Sequence, residues 1–206
     1  MIPVQYIISA NQKLSPLSHV KAALKAGCKW IQIQTNGEND KSLIKTATKI
    51  KELCREKQAT FIIEDNIELV KTIDGDGVHI TDNRSLGEVR QLLGEGFLIG
   101  CNARNAEEVI NYKRQSADYI SCGPFRNTNT DEGTEKSAIN LTDYENIIRE
   151  TEAKEIFLPL CAFGDINVAD VDPILRTGMR GIAIHIDNDD LKEKQVISTL
   201  EEYINL

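Results

Sequence analysis

Residues 60–80 read TFIIEDNIELVKTIDGDGVHI. Thr60–Ile63 is a β-branched and aromatic run, Glu68–Ile73 a short helical one, and Gly77–Ile80 a second strand. Two strands joined by a helix over so short a span belong to a parallel sheet, because an antiparallel partner follows through a tight turn and needs no crossover. The same unit repeats toward both termini. On the N-terminal side, strands are expected near Val4–Ser9 and Trp30–Gln34. Helices are expected over Leu17–Ala26, stopped by Gly27, and over Asp40–Lys57, where Leu43, Ile44, Ala47, Ile50 and Cys54 recur at spacings of three and four. On the C-terminal side the expected strands are Phe97–Gly100, Tyr119–Cys122, Ile156–Leu160 and Gly181–Ile184. The expected helices there are Ser85–Leu93, Ala106–Arg114, Thr142–Thr151, Val168–Thr177 and Leu191–Ile204.

Eight strand–helix units at a repeat of about 25 residues predict an α/β fold, one (β/α)8 TIM barrel. At 206 residues the chain sits at the short end of that architecture. No Gly-x-Gly-x-x-Gly fingerprint follows the first strand, which disfavours a dinucleotide-binding open sheet. Nothing in composition marks a linker, so residues 1–206 are read as one barrel domain.

The net charge is −8, from 32 acidic and 24 basic residues, and the basic ones form no dense cluster. A nucleic-acid surface needs a positive face to displace counterions, so nucleic acid is excluded as a partner. No run approaches the roughly 20 apolar residues of a membrane span, and the N-terminus lacks a basic leader region. Cys28, Cys54, Cys101, Cys122 and Cys161 are scattered, odd in number and without a C-x-x-C pair, which reads as buried, reduced thiols of a cytoplasmic protein. Homo-oligomer formation stays open.

In such barrels the chemistry sits at the C-terminal ends of the strands. That rule selects Gln32, Gln34, Asp65, the Thr81–Asn83 turn, Asn102, the 123–131 loop, Gly164-Asp165 and His185.

These strand ends carry a resemblance. Asp76-Gly-Val-His-Ile80 resembles the D-G-V-H-L strand of the thiamine-phosphate synthases and their thiazole-tautomerase relatives. Ala117-Asp-Tyr-Ile120, Gly123-Pro124 and Thr128-Asn-Thr130 resemble the same family's A-D-Y…G-P-x-x-x-T-x-T segment. Gln32, Glu64-Asp65 and Gly164-Asp-Ile166 stand where it has Q, N-D and G-G-I. The resemblance implies a protein of thiamine biosynthesis that takes a small pyrimidine or thiazole ligand. The family's synthase couples hydroxymethylpyrimidine diphosphate to thiazole phosphate, with Mg²⁺ assisting departure of diphosphate. By the same resemblance, Gln32, Gln34, Asn102, Thr128, Thr130 and Gly164 are substrate-binding positions and Asp65 is a magnesium ligand. Asp82 is open to two readings, a second metal oxygen or a turn residue ahead of Ser85. His185 is a proton-transfer candidate at the mouth, together with Glu64 and Asp65.

The chain departs from the pattern where the family keeps cations. The arginine and lysine after Gln32 are Gln34 and Asn36, N-D-R is Glu64-Asp65-Asn66, and the lysine after T-x-T is Asp131. Charge-assisted hydrogen bonds contribute about 1.5–3 kcal/mol each, so losing three of these four removes roughly 5–9 kcal/mol of hold on a diphosphate. Arg126 and Lys136 are the loop cations left to substitute. The second metal aspartate is replaced by Arg84, and the phosphate-loop glycine by Asp165. The departures leave three expectations open: a divergent synthase, a thiazole-tautomerase-type activity, or a ligand-binding barrel without catalysis.

Overall fold

The computed structural model describes residues 3–9, 13–35, 40–129, 135–136, 138–186 and 192–206. The barrel strands are β1 (Val4–Ile8), β2 (Trp30–Ile33), β3 (Thr60–Glu64), β4 (Gly77–Ile80), β5 (Leu98–Ala103), β6 (Tyr119–Cys122), β9 (Leu160–Phe163) and β10 (Gly181–His185). They close in the order β1-β10-β9-β6-β5-β4-β3-β2, every pair parallel. Helices α1 (Pro16–Lys25), α2 (Lys41–Glu56), α3 (Ile67–Ile73), α4 (Leu86–Leu93), α5 (Ala106–Arg114), α6 (Leu141–Glu152), α7 (Val168–Arg176) and α8 (Glu193–Ile204) follow the eight strands in turn. This is the expected (β/α)8 barrel. An unforeseen antiparallel pair, β7 (Thr128–Asn129) and β8 (Glu135–Lys136), lies between β6 and α6.

One strand differs from its expected place. Ile156–Leu160 is not the seventh barrel strand; β9 starts at Leu160 and runs to Phe163. Pro159 has no N–H to give a ladder and offers only its carbonyl, which accepts the Ile120 N–H at 3.0 Å, and the Phe157 side chain is 70% exposed, so this part of the apolar run leads into the sheet.

Strand alternation sorts side chains between the barrel interior and the helix layer. Tyr6 meets His19 of α1 at 2.8 Å, whereas its neighbour Gln5 meets Gln32 inside the barrel, also at 2.8 Å. Asn66, Ser85, Asn105 and Asn140 each accept a first-turn N–H of the following helix. That capping starts the helices sharply at the end where the strands finish. Two aspartates of the recognised motifs serve the opposite end. Asp76 accepts Phe61 N–H at 2.7 Å and pairs with Lys51; Asp118 accepts Ile99 N–H at 2.7 Å and pairs with Arg90 at 2.6 Å. Those motif residues therefore join strands and carry no part of the mouth.

All five cysteines are buried and unpaired. Among the described residues no helix is long and apolar enough to cross a membrane.

Candidate active site at the barrel mouth

Parallel pairing of β2 with β3 sets Gln32 and Gln34 beside Glu64. Gln32 Nε2–H donates to Glu64 Oε2 at 2.7 Å, and Gln34 Nε2–H donates to Oε1 at 3.1 Å. Gln32 is itself buried and accepts from Gln5 Nε2–H at 2.8 Å, so its amide orientation is set from below. Burial pushes the Glu64 carboxyl up to about 6 and neighbouring Asp65 adds to the shift, against the Gln32 and Gln34 hydrogen bonds and the His185 charge. Glu64 is thus a carboxyl poised near neutrality where the resemblance places diphosphate-binding groups.

On the other half of the barrel, His79 of β4 bridges Tyr119 of β6 and Asn102 of β5, at 2.9 Å on each side. Burial is the main cause holding the His79 pKa below its ordinary value, so the ring is neutral. With Asn102 Oδ1 as acceptor, Nε2 carries the proton and Nδ1 accepts from the Tyr119 hydroxyl. Tyr119 fits inside the barrel because residue 100 is glycine: a Cβ there would lie 2.0 Å from Tyr119 Cζ. The edge of Trp30 meets the Tyr119 ring at 4.8 Å between centroids. His79 is therefore a positioning group for Asn102.

Asp65 and Asp82 are turned to different partners. Asp65 takes a left-handed backbone, φ 54°, and its carboxylate accepts the Thr81 N–H at 2.8 Å and the Thr81 hydroxyl. Asp82 accepts the Arg84 N–H at 3.0 Å and its Nε–H at 2.7 Å, the turn role that was one of its two expected readings. Arg84 also donates through Nη1 to the Asp65 carbonyl at 3.2 Å. The Arg84 guanidinium is the first cause of the depressed Asp82 carboxyl pKa. Among the described residues no three His, Cys, Asp or Glu side chains converge as a metal-binding set. Beside this turn lies a cleft of about 210 Å³ whose walls include Thr81, Arg84, Asn102, Arg104, Tyr112 and Phe163.

The loop after β9 is clamped to the loop after β6. Phe125 N–H donates to the Phe163 carbonyl at 2.8 Å and Arg126 N–H to the Gly164 carbonyl at 3.2 Å. Gly164 has φ +104°, and a Cβ there would lie 2.4 Å from Pro124 Cβ, so this close approach requires glycine. Arg126 donates to both Asp170 oxygens, at 2.7 and 2.9 Å, and also to the Asp165 carbonyl. It is engaged with α7. His185, at the end of β10, is exposed and donates from Nδ1 to the Ile7 carbonyl at 3.0 Å. The Thr128 backbone lies in β7; its side chain, Thr130, Asn36 and Asp131 fall outside what is described.

The structure thus gathers Gln32, Gln34, Asn102, Asp65 and His185 at one end of the barrel. Glu64, Arg84 and Arg104 join them with more pronounced chemistry than the motif positions alone suggested. Glu64 was signalled by a carboxylate standing where the resembling family has a neutral amide. Arg104 was signalled only by following the strand that carries Asn102.

Fold and mouth define the class: a (β/α)8 barrel with polar groups converging at the C-terminal strand ends. The sequence profile of the thiamine monophosphate synthase family matches residues 5–200, and the chain belongs to that family, which places it in thiamine biosynthesis. It is 35% identical to the thiamine-phosphate synthase of Bacteroides fragilis over 185 residues, covering 89% of this chain and 90% of the relative. It is 33% identical to that of Phocaeicola vulgatus over 206 residues, covering 100% and 98%. The solved thiamine phosphate pyrophosphorylase of Pyrococcus furiosus superposes with a TM-score of 0.83 at 21% identity, over 99% of this chain and 94% of that one, and so supports the fold.

Proposed function

We propose that this family member carries out a proton transfer on the thiazole-side intermediate of thiamine biosynthesis, a tautomerisation, with Glu64 as base. The observation that carries this reading is the Glu64 carboxylate held by Gln32 and Gln34 where a diphosphate clamp would need cations. Glu64 takes a proton from one carbon of the ring system, the electron pair moves through the conjugated ring, and the resulting carboxylic acid returns the proton elsewhere. No group leaves and no oxidant is needed. Gln32, Gln34 and Asn102 supply amide donors and acceptors for the heterocycle.

The experiment is proton–deuterium exchange into thiazole phosphate in D₂O, followed by NMR. A positioned general base is worth roughly 10²- to 10⁴-fold. Glu64→Gln is expected to remove exchange on that scale while retaining the ligand; undiminished exchange in this variant overturns the reading.

The coupling reaction named for the relatives is a second reading, favoured by the Gln32 position and the Thr128-Asn-Thr130 motif. Turnover of pyrimidine diphosphate with thiazole phosphate and Mg²⁺ would establish it. The five reduced thiols suit a cytoplasmic setting, and self-association is read out by light scattering.

A further inference from the structure

We propose that Arg84 takes the place of the divalent cation, and that Arg84 and Arg104 make the β4–β5 cleft a metal-independent subsite for the phosphate of a phosphorylated heterocycle. The donor set does not fit Mg²⁺. Both Asp65 oxygens accept from Thr81, the Asp82 oxygens accept from Arg84, and the position the resemblance gives to a second metal aspartate is the guanidinium itself. A magnesium ion wants octahedral oxygen ligands, and a cation beside Arg84 would meet like charge.

The same guanidinium is well placed for an anion. It is anchored to the Asp82 carboxylate through Nε and Nη2 and to the Asp65 carbonyl through Nη1. Those contacts engage three of the five guanidinium N–H groups, and Arg84 lines the cleft. Arg104 lines the same cleft from the end of β5, with Asn102, whose amide is held by His79. The two carboxylates of the cleft are turned to protein donors. Asp82 faces Arg84, and Glu108 accepts the Arg104 backbone N–H at 2.7 Å and Asn105 Nδ2–H at 3.1 Å, which fastens the start of α5. Asp82 is thus matched by the Arg84 charge, while Glu108 keeps its charge and is held by neutral N–H donors at the start of α5. Guanidinium forks match phosphate oxygens geometrically, and no metal is needed to bridge them.

The placement also sets the ligand's dimensions. Glu64 on β3 and Asn102 on β5 are two strand spacings apart, about 10 Å. A phosphorylated ring lying across the mouth puts its phosphate in the cleft and its ring beside Glu64. Only the identity of that ring rests on the proton-transfer reading above.

The test is calorimetric titration of the full chain with inorganic phosphate, first with EDTA and then with excess Mg²⁺. Phosphate is expected to bind with EDTA present, and Mg²⁺ is expected to leave the affinity unchanged. Arg84→Gln and Arg104→Gln are each expected to weaken binding roughly ten- to hundred-fold, the value of a lost charge-assisted bond. Arg84→Lys is expected to retain an intermediate affinity. The EDTA and Mg²⁺ comparison uses the unaltered protein, so it decides even if a variant fails to fold. No binding, a requirement for Mg²⁺, or unchanged affinity in either glutamine variant overturns the proposal. Deuterium exchange is not the readout, so this subsite and the Glu64 base stand or fall separately.

Discussion

Gln32 Nε2–H reaches Glu64 Oε2 at 2.7 Å across the β2–β3 pair, and that contact ties a buried amide to a mouth carboxyl that burial pushes up to about 6. Around it, the mouth has an acidic half at β2 and β3 and a half at β4 and β5 where two arginines line the cleft.

Burial raises the Glu64 carboxyl from 4.5 to about 6, so the native state binds this proton more tightly than the unfolded chain. Stability from this group is full below pH 4.5 and is lost as pH rises through about 6. The loss is about 2 kcal/mol at 1.36 kcal/mol per pKa unit. Urea unfolding of the wild type and Glu64→Gln across pH 4–8 should show the variant gaining that amount relative to the wild type. A pH-independent difference would contradict the assignment.

A base with this carboxyl works only when ionised. Deuterium exchange into thiazole phosphate should therefore rise with pH through an apparent pKa near 6. In Glu64→Gln the residual rate should lose that ascending limb. A limb that persists in the variant belongs to another group.

Tyr119 gives its hydroxyl proton to His79 Nδ1, and His79 gives its own to Asn102. Tyr119→Phe leaves a buried ring nitrogen without its donor and should cost about 1–3 kcal/mol. It should also weaken ligand binding, because Asn102 loses its fixed orientation. Denaturation and calorimetry on the same preparation separate the two effects.

Gly100 gives the Tyr119 ring its space, with a hypothetical Cβ only 2.0 Å from Cζ. Overpacking costs typically about 1–3 kcal/mol, and a clash with a fully enclosed ring belongs at or above the upper end. Gly100→Ala should lower the unfolding midpoint accordingly and shift the near-ultraviolet signal of Tyr119 and Trp30.

Asp170 holds Arg126 with both oxygens and also accepts the Asn167 N–H at 2.8 Å. Asp170→Ala removes the tie between the loop after β6 and α7 and a helix cap together. The expected loss is about 1–3 kcal/mol, measured by thermal unfolding.

Much of the fold was legible because period-two and three-and-four spacings are local properties of the chain. The repeated strand–helix unit around residues 60–80 sufficed for the barrel, and Asn66, Ser85, Asn105 and Asn140 marked helix starts by their own chemistry. The β9 boundary was misplaced because Ile156–Leu160 is as apolar as a strand, and only the pairing of Leu160–Phe163 with β6 and β10 distinguishes the two. The site was less legible. Asp82 and Arg84 are two residues apart and bond through a local turn, which the chain could suggest. Gln32 and Glu64 are separated by 32 positions and His79 and Tyr119 by 40, so no local pattern reveals that they touch.

By itself the sequence determined the eightfold alternation, the end of the barrel where the ligand groups stand, and the replacement of cations by amides and acids. Tertiary structure alone decided what those replacements do. Closure brings Gln5, Gln32 and Glu64 into one hydrogen-bonded line and takes Glu64 out of water, and that desolvation makes an ordinary carboxylate a base near neutrality. The same closure turns the Asp65 carboxylate to Thr81 and its carbonyl to Arg84, so a residue that reads as a metal ligand in line helps to hold a guanidinium in space.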